Sequence, residues 1–182
     1  MKYFEHESAA TFDEAVSLLK ESPKGKTVVM AGGSDLIGVL KEQILEDYPE
    51  KVVDLKTVRG GEYIKQDGDT IEIGALTKLC DIVKSDLLNE KAPVLSQAAR
   101  SVATPLIRNV ATMGGNICQD VRCWFYRYPH GIGGRMDCMR KGGKECYAVM
   151  GDNRYHSIFG GMKVHTTPCS VQCPANTDIP DY

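Results

Sequence analysis

The feature that most constrains this chain is a glycine pair set between two patterned stretches. Residues 27–31 (Thr27-Val28-Val29-Met30-Ala31) are short, rich in β-branched side chains and uncharged, the composition of a buried strand. They run into Gly32-Gly33-Ser34-Asp35, after which Leu36, Ile37 and Leu40 repeat at helical spacing, with Ser34 and Asp35 as residue types that cap helices. The reading is strand, glycine turn, helix. At such a handover a backbone without Cβ atoms can approach a phosphate and point free N–H groups at it. The spacing is not G-x-G-x-x-G, so a Rossmann-type fold is not supported, and taken alone the pair reads equally as a plain turn. Asp35 is itself an anion, so a phosphate here requires its carboxylate to point away or toward a ribose hydroxyl.

Around this unit the pattern is α+β. Thr11-Phe12-Asp13-Glu14 has the form of a capping box, and Phe12, Val16 and Leu19 follow at helical spacing, which predicts a helix over residues 12–21. Ser22-Pro23-Lys24-Gly25 is a turn. Residues 51–55 read as a second buried strand, and residues 62–73 as a hairpin about Asp67-Gly68-Asp69. Helical patterns follow over residues 77–84 and 92–102. The second carries Val94, Leu95, Ala98, Ala99 and Val102 on one stripe and is stopped by Pro105.

From Ile107 the text changes. Arg108-Asn109-Val110-Ala111-Thr112-Met113-Gly114-Gly115-Asn116 holds a second glycine turn, with a hydroxyl before it and an amide after it that both donates and accepts. Two such loops make a two-sided cradle for a pyrophosphate, although each alone also reads as a turn. Arg108 is a candidate to neutralise phosphate, against a solvated or salt-bridged role. The stretch beyond is rich in Gly, Arg and Tyr without sustained period, which suggests a loop organised by a ligand.

With 22 basic against 24 acidic residues the net charge is -2, so no polyanion-binding or membrane-surface field arises, and nucleic acid is not expected as a partner. No apolar run approaches the roughly 20 residues needed to cross a bilayer, and the N-terminus lacks an apolar leader, which predicts a cytoplasmic protein without a membrane partner. Six of the seven cysteines (Cys118, Cys123, Cys138, Cys146, Cys169, Cys173) lie in the last third, while Cys80 stands apart. In a reducing compartment clustered thiolates are free to hold metal. Cys123, Cys138 and Cys146 are spaced to staple a loop around an iron–sulfur cluster, with zinc as the competing metal and unligated thiols as the third reading. The fourth ligand is open among His156, Cys169 and Cys118. Cys169 and Cys173-Pro174 supply half of a further iron–sulfur pattern.

Taken in order, Ala31-Gly32-Gly33-Ser34-Asp35-Leu36, Ile73-Gly74-Ala75-Leu76-Thr77 and the segment from Ile107 through Met113-Gly114-Gly115-Asn116-Ile117-Cys118 resemble the FAD-binding medium subunits of molybdopterin-dependent dehydrogenases, the family of the xanthine and carbon monoxide dehydrogenase medium subunits. The resemblance covers roughly residues 1–160. It implies a PCMH-type FAD-binding domain of two α+β subdomains, residues 1–57 and 58–165, with a Cys-rich loop at about 118–156. It also implies that FAD is held by Met30, Ala31, Gly32, Gly33, Ser34, Asp35, Leu36 and Ile37 and by Ala111, Thr112, Met113, Gly114, Gly115, Asn116 and Ile117.

The stretch Cys123-Trp124-Phe125-Tyr126-Arg127, with Cys138, Cys146 and Gly151-Asp152-Asn153-Arg154-Tyr155-His156, resembles a narrower branch typified by 4-hydroxybenzoyl-CoA reductase and the periplasmic-type aldehyde oxidoreductase. That branch implies a [4Fe-4S] cluster on Cys123, Cys138 and Cys146. Its fourth cysteine falls where this chain has Tyr155 beside His156, which makes His156 the candidate ligand. The C-terminal domain that completes the family's flavin pocket is absent from this sequence, and residues 166–182 resemble the start of the Fe–S domain of glutamate synthase small subunits.

The implied function is an oxidoreductase component that passes electrons between FAD and a [4Fe-4S] cluster, with no side chain acting as acid, base or nucleophile and no complete enzyme in this chain alone. Its implied partners are molybdopterin-binding and ferredoxin-like subunits, or a fused pyridine-nucleotide oxidoreductase domain with NAD(P)H as electron partner. The rival readings are a domain that folds without flavin and a non-catalytic, zinc-stapled interaction domain.

Overall fold

The capping box forms as the sequence implies. In the computed structural model, which describes residues 1–45, 47–132 and 136–150, Thr11 Oγ1 accepts from the Glu14 N–H at 3.1 Å and Glu14 Oε2 accepts from the Ala10 N–H at 2.7 Å. These bonds satisfy amides that the first helical turn leaves open and start α1 (Phe12–Glu21). The buried face is not the expected one. Phe12, Val16 and Leu19 are partly exposed, while Ala15 is buried and Leu18 packs with it against Val53, Val58 and Leu76.

Three strands, β1 (Glu5–Ser8), β2 (Thr27–Met30) and β3 (Lys51–Asp54), form a parallel sheet in the order β1-β3-β2. Val52 of the central strand lies opposite both His6 and Val28, and Val52 and Val53 are fully buried. Parallel neighbours require crossovers, which α1 and α2 (Leu36–Lys41) supply. β1 has no apolar face to announce it. Its charged side chains suit an edge position, where Lys51 Nζ meets Glu7 Oε2 at 2.8 Å.

The expected hairpin is β4 (Ile64–Asp67) and β5 (Thr70–Ile73), joined through Gly68 at φ +58°. A lone hairpin is marginal in water. Ile64, Ile71 and Ile73 pack on a helical cluster containing Leu79, Ile82, Leu88 and Ala99, supplied by α3 (Leu79–Lys84), α4 (Asp86–Lys91) and α5 (Pro93–Arg100). α4 was not expected. Ser85 caps it by accepting the Leu88 N–H at 3.3 Å, and Leu88 is fully buried.

α5 is shorter than the expected 92–102. Of the expected stripe, Leu95, Ala99 and Val102 pack on the helical cluster while Val94 and Ala98 are exposed, and Ser96 is buried beside them and donates to the Ile82 carbonyl at 3.3 Å. Pro105 does not simply end a helix. It occupies the first turn of α6 (Pro105–Arg108), where its missing N–H is no loss. α7 (Met113–Ile117) and α8 (Tyr147–Met150) are short, with a 3₁₀ turn at Met139–Lys141 between them. Among the described residues no helix is long and apolar enough to cross a membrane.

Candidate functional site

The two glycine motifs meet backbone to backbone. A Cβ on Gly32 would run into the Val110 carbonyl, so this residue is glycine because another main chain occupies the space a side chain would need. Gly33 adopts φ +72°, the left-handed region that costs other residues. Beyond it the N–H groups of Gly32, Gly33, Ser34 and Asp35 donate no hydrogen bond among the described residues.

Gly114-Gly115-Asn116 is helical rather than a turn. It forms the body of α7, with Thr112 Oγ1 accepting the Gly115 N–H at 3.2 Å as its cap. The segment Ile73–Thr77 is its platform. The Met113 N–H donates to Thr77 O and the Gly114 N–H to Ala75 O, both at 2.8 Å, and a Cβ on Gly114 would meet that same Ala75 oxygen at 2.9 Å. The second of the three ordered motifs therefore holds the third in place.

Between the loops opens a cavity of about 590 Å³, within the usual range for ligand pockets. Its wall includes Met30, Ala31, Gly32, Gly33, Ser34, Asp35 and Leu36 from the first motif and Ala111, Thr112, Gly114, Gly115 and Asn116 from the second. The remaining expected residues lie elsewhere. Ile37 is half exposed with its tip beside Gly33, Ile117 is largely exposed, and Met113 packs on the helical cluster. Phe12, Val28, Leu55, Leu76, Val102 and Ile107 give the cavity an apolar side.

Asp35 stands at the start of α2 but makes no side-chain cap. Its Oδ2 accepts from Arg127 Nη2 at 3.0 Å and from the Asp120 N–H at 3.1 Å, and Oδ1 lies 3.2 Å from Arg122 Nη1. Burial pushes this carboxyl up, but the hydrogen bond and charge of Arg127, the charge of Arg122 and the Asp120 amide outweigh burial and hold it below its ordinary value. Tyr126 moves the other way: burial, then the hydrogen bond to Asp120 Oδ2 at 2.7 Å, raises its hydroxyl well above the ordinary range. Sequence reasoning missed Arg122, Arg127 and Asp120, whose partner lies far back along the chain.

Arg108 does not line the cavity. It is only 7% exposed, and its Nη1 donates to the carbonyls of Arg100, Val102 and Ala103 at 2.8, 3.0 and 3.1 Å. It ties down the chain leaving α5, where Ala103 adopts φ +46°.

Cys123, Cys138 and Cys146 gather in one cluster with Val39, Ile44, Tyr126 and Ala148, the first two thiols being buried. Residues 137–145 close a tight loop: the Gly143 N–H donates to Cys138 O at 2.9 Å and the Met139 N–H to Glu145 O at 2.8 Å. Thiolates are soft donors that suit iron–sulfur clusters and zinc alike. Among the described residues no group of three or more His, Cys, Asp or Glu is arranged to hold a metal ion. His156, Tyr155, Cys169 and Cys173 lie outside the described residues.

The geometry defines an α+β domain with a paired glycine cradle. Residues 2–124 match the FAD binding domain in molybdopterin dehydrogenase, and the chain belongs to that family. It is 34% identical over 117 residues to the nicotinate dehydrogenase FAD-subunit of Eubacterium barkeri, covering 64% of this chain and 39% of that protein. With the aldehyde oxidoreductase FAD-binding subunit PaoB of Escherichia coli it shares 29% identity over 161 residues, 88% of this chain and 48% of the relative. The carbon monoxide dehydrogenase structure from Hydrogenophaga pseudoflava, which lacks the Mo-pyranopterin moiety of the molybdenum cofactor, superposes with a TM-score of 0.60 at 31% identity over 64% of this chain and 39% of that one. The chain thus spans less than half the length of these relatives.

Proposed function

We propose that this chain is the FAD-binding, electron-transferring part of a molybdenum-hydroxylase-type oxidoreductase, passing electrons between FAD and a [4Fe-4S] cluster. The observation that carries the reading is the convergence of both glycine motifs on one cavity, with unengaged amides on one loop and an apolar wall behind. Residues 30–37 and 111–117 would hold the dinucleotide. Those lining the cavity would make its contacts, and Ile37, Met113 and Ile117 would support them. The Gly32, Gly33, Ser34 and Asp35 amides are donors available to a phosphate, and Asp35 can sit beside it because its carboxylate is engaged by arginines. Bound FAD would supply two-electron acceptance and one-electron release.

Cys123, Cys138 and Cys146 would hold the cluster, with His156 as fourth ligand. Their collection in one cluster, two of the thiols buried, supports this reading. The subdomains would divide at residues 57 and 58, the second reaching 165, with residues 166–182 starting a further Fe–S segment. Molybdopterin-binding and ferredoxin-like subunits would complete the enzyme; a fused pyridine-nucleotide oxidoreductase domain taking NAD(P)H is the other arrangement the sequence supports.

An anaerobic absorbance spectrum with flavin, iron, sulfide and zinc quantitation on one purified sample tests this. Flavin bands with about four irons and matching sulfide per chain are expected. Iron without flavin removes FAD binding by this chain alone, and zinc without iron or sulfide overturns the cluster.

A further inference from the structure

Among the described residues the wall of the glycine cavity carries three charged side chains, Asp35, Asp120 and Arg122. Two are carboxylates, and a diphosphate brings further negative charge. Such a wall repels its ligand unless the acids are engaged by other groups and a cation presents free donors to the newcomer.

Both acids are occupied on each oxygen. Asp35 is held by Arg127, Arg122 and the Asp120 N–H. Asp120 Oδ2 accepts from the Tyr126 hydroxyl at 2.7 Å and Oδ1 from the Val121 N–H at 2.8 Å. Arg127 is only 17% exposed, and besides Asp35 it serves the carbonyls of Val121 at 2.6 Å and Asp120 at 2.9 Å. Arg122 differs. Its side chain is 60% exposed, with one edge fixed by Gln119 Oε1 at 2.7 and 3.1 Å and Nη1 tethered to Asp35. A guanidinium has five N–H donors in a rigid fork, so these contacts hold the group in place and leave donors over for the cavity.

We propose that Arg122 is the cation that receives the diphosphate of the dinucleotide in the glycine cradle, and that Arg127 is its positioning residue, acting through Asp35. This rests on the FAD reading above and adds a residue outside both glycine motifs. Arg127 cancels the charge of Asp35 and fixes the carboxylate to which Arg122 is tethered. A planar fork suits phosphate oxygens better than an ammonium does.

The test is titration of the flavin-stripped full chain with FAD and ADP, and with riboflavin and adenosine as probes that lack the diphosphate, at low and high salt. Arg122→Gln is expected to weaken FAD and ADP by about tenfold or more, to leave riboflavin and adenosine within about twofold, and to flatten the salt dependence. Arg122→Lys should recover part of the loss. Arg127→Gln should weaken FAD, and adding Asp35→Asn should restore much of it, because the uncompensated carboxylate is then gone. Equal losses for FAD and riboflavin in Arg122→Gln, or no loss for FAD, overturn the proposal while the FAD reading stands. Failure of the unaltered chain to bind either FAD or ADP overturns the FAD reading and this proposal with it.

Discussion

Arg127 Nη2 lies 3.0 Å from Asp35 Oδ2, with the two side chains 17% and 18% exposed, and this pair fastens the cysteine-bearing segment to the first glycine loop. Arginine partners hold the carboxyl below its ordinary value despite burial. The folded chain therefore keeps this charge to lower pH than the unfolded chain does. Its stabilisation is full above the ordinary value of about 3.9 and fades as pH falls through that value toward the folded one. Arg127→Met should cost about 2 kcal/mol near neutral pH by leaving a largely buried carboxylate with only Arg122 and the Asp120 N–H as partners, and should flatten the acid limb of stability. Urea melts across that pH range check both effects.

Glycine at position 32 answers to a neighbouring main chain, while glycine at position 38, inside α2, has nothing within 4 Å of its missing Cβ. Gly32→Ala is expected to destabilise by about 2 kcal/mol or more through overpacking against Val110. Gly38→Ala should stabilise by roughly 0.5 kcal/mol through helix propensity. Thermal melts of the two variants side by side should move in opposite directions.

Removing the Arg108 guanidinium deprives three carbonyls of a charged donor. Arg108→Met should cost about 3 kcal/mol in denaturant melts. Its flavin affinity at temperatures where it stays folded should match that of the unaltered chain, and a selective loss of FAD over riboflavin would return Arg108 to the phosphate.

A Cβ on Gly115 meets only Thr112 Oγ1, at 2.9 Å, so a side chain there disturbs the cap of a five-residue helix and otherwise enters the cavity. Gly115→Val should lose FAD with a stability cost near that of Thr112→Ala, about 1 kcal/mol. Stoichiometric flavin in a folded Gly115→Val protein would refute the placement of the diphosphate.

Cys80 lies on α3, apart from the cluster that gathers Cys123, Cys138 and Cys146. Anaerobic spectra should show iron–sulfur absorbance lost in Cys138→Ser and kept in Cys80→Ser. An unchanged Cys138→Ser spectrum removes that thiol from the ligand set.

What the sequence disclosed was local. The Thr11 capping box, the Gly68 hairpin and the β-branched strands β2 and β3 are written in adjacent residues, and all formed. β1 was hidden because Glu-His-Glu-Ser has no apolar alternation; the backbone of β3 makes it a strand. The face of α5 was legible only in part: Leu95, Ala99 and Val102 pack inward, but Ser96 takes the inner place beside α3 and leaves Val94 and Ala98 outside; the fate of Asp35 was illegible because Arg127 lies far along the chain. Both glycine pairs were visible as a candidate site. That Gly32 abuts Val110, and that Ala75 and Thr77 carry the second pair, is tertiary information without a local signal.

Because β3 is the middle strand, both of its neighbours leave the ribosome before it does. A nascent chain emerging N-terminus first presents β1 and β2 with no edge to join, and the ladder closes only when Lys51–Asp54 follows. Through that interval α1 can form on its own cap, but the strand segments stay open to wrong pairing. Slowing translation just after β3 has emerged would favour correct assembly of this sheet, whereas a pause between β2 and β3 would prolong its exposure.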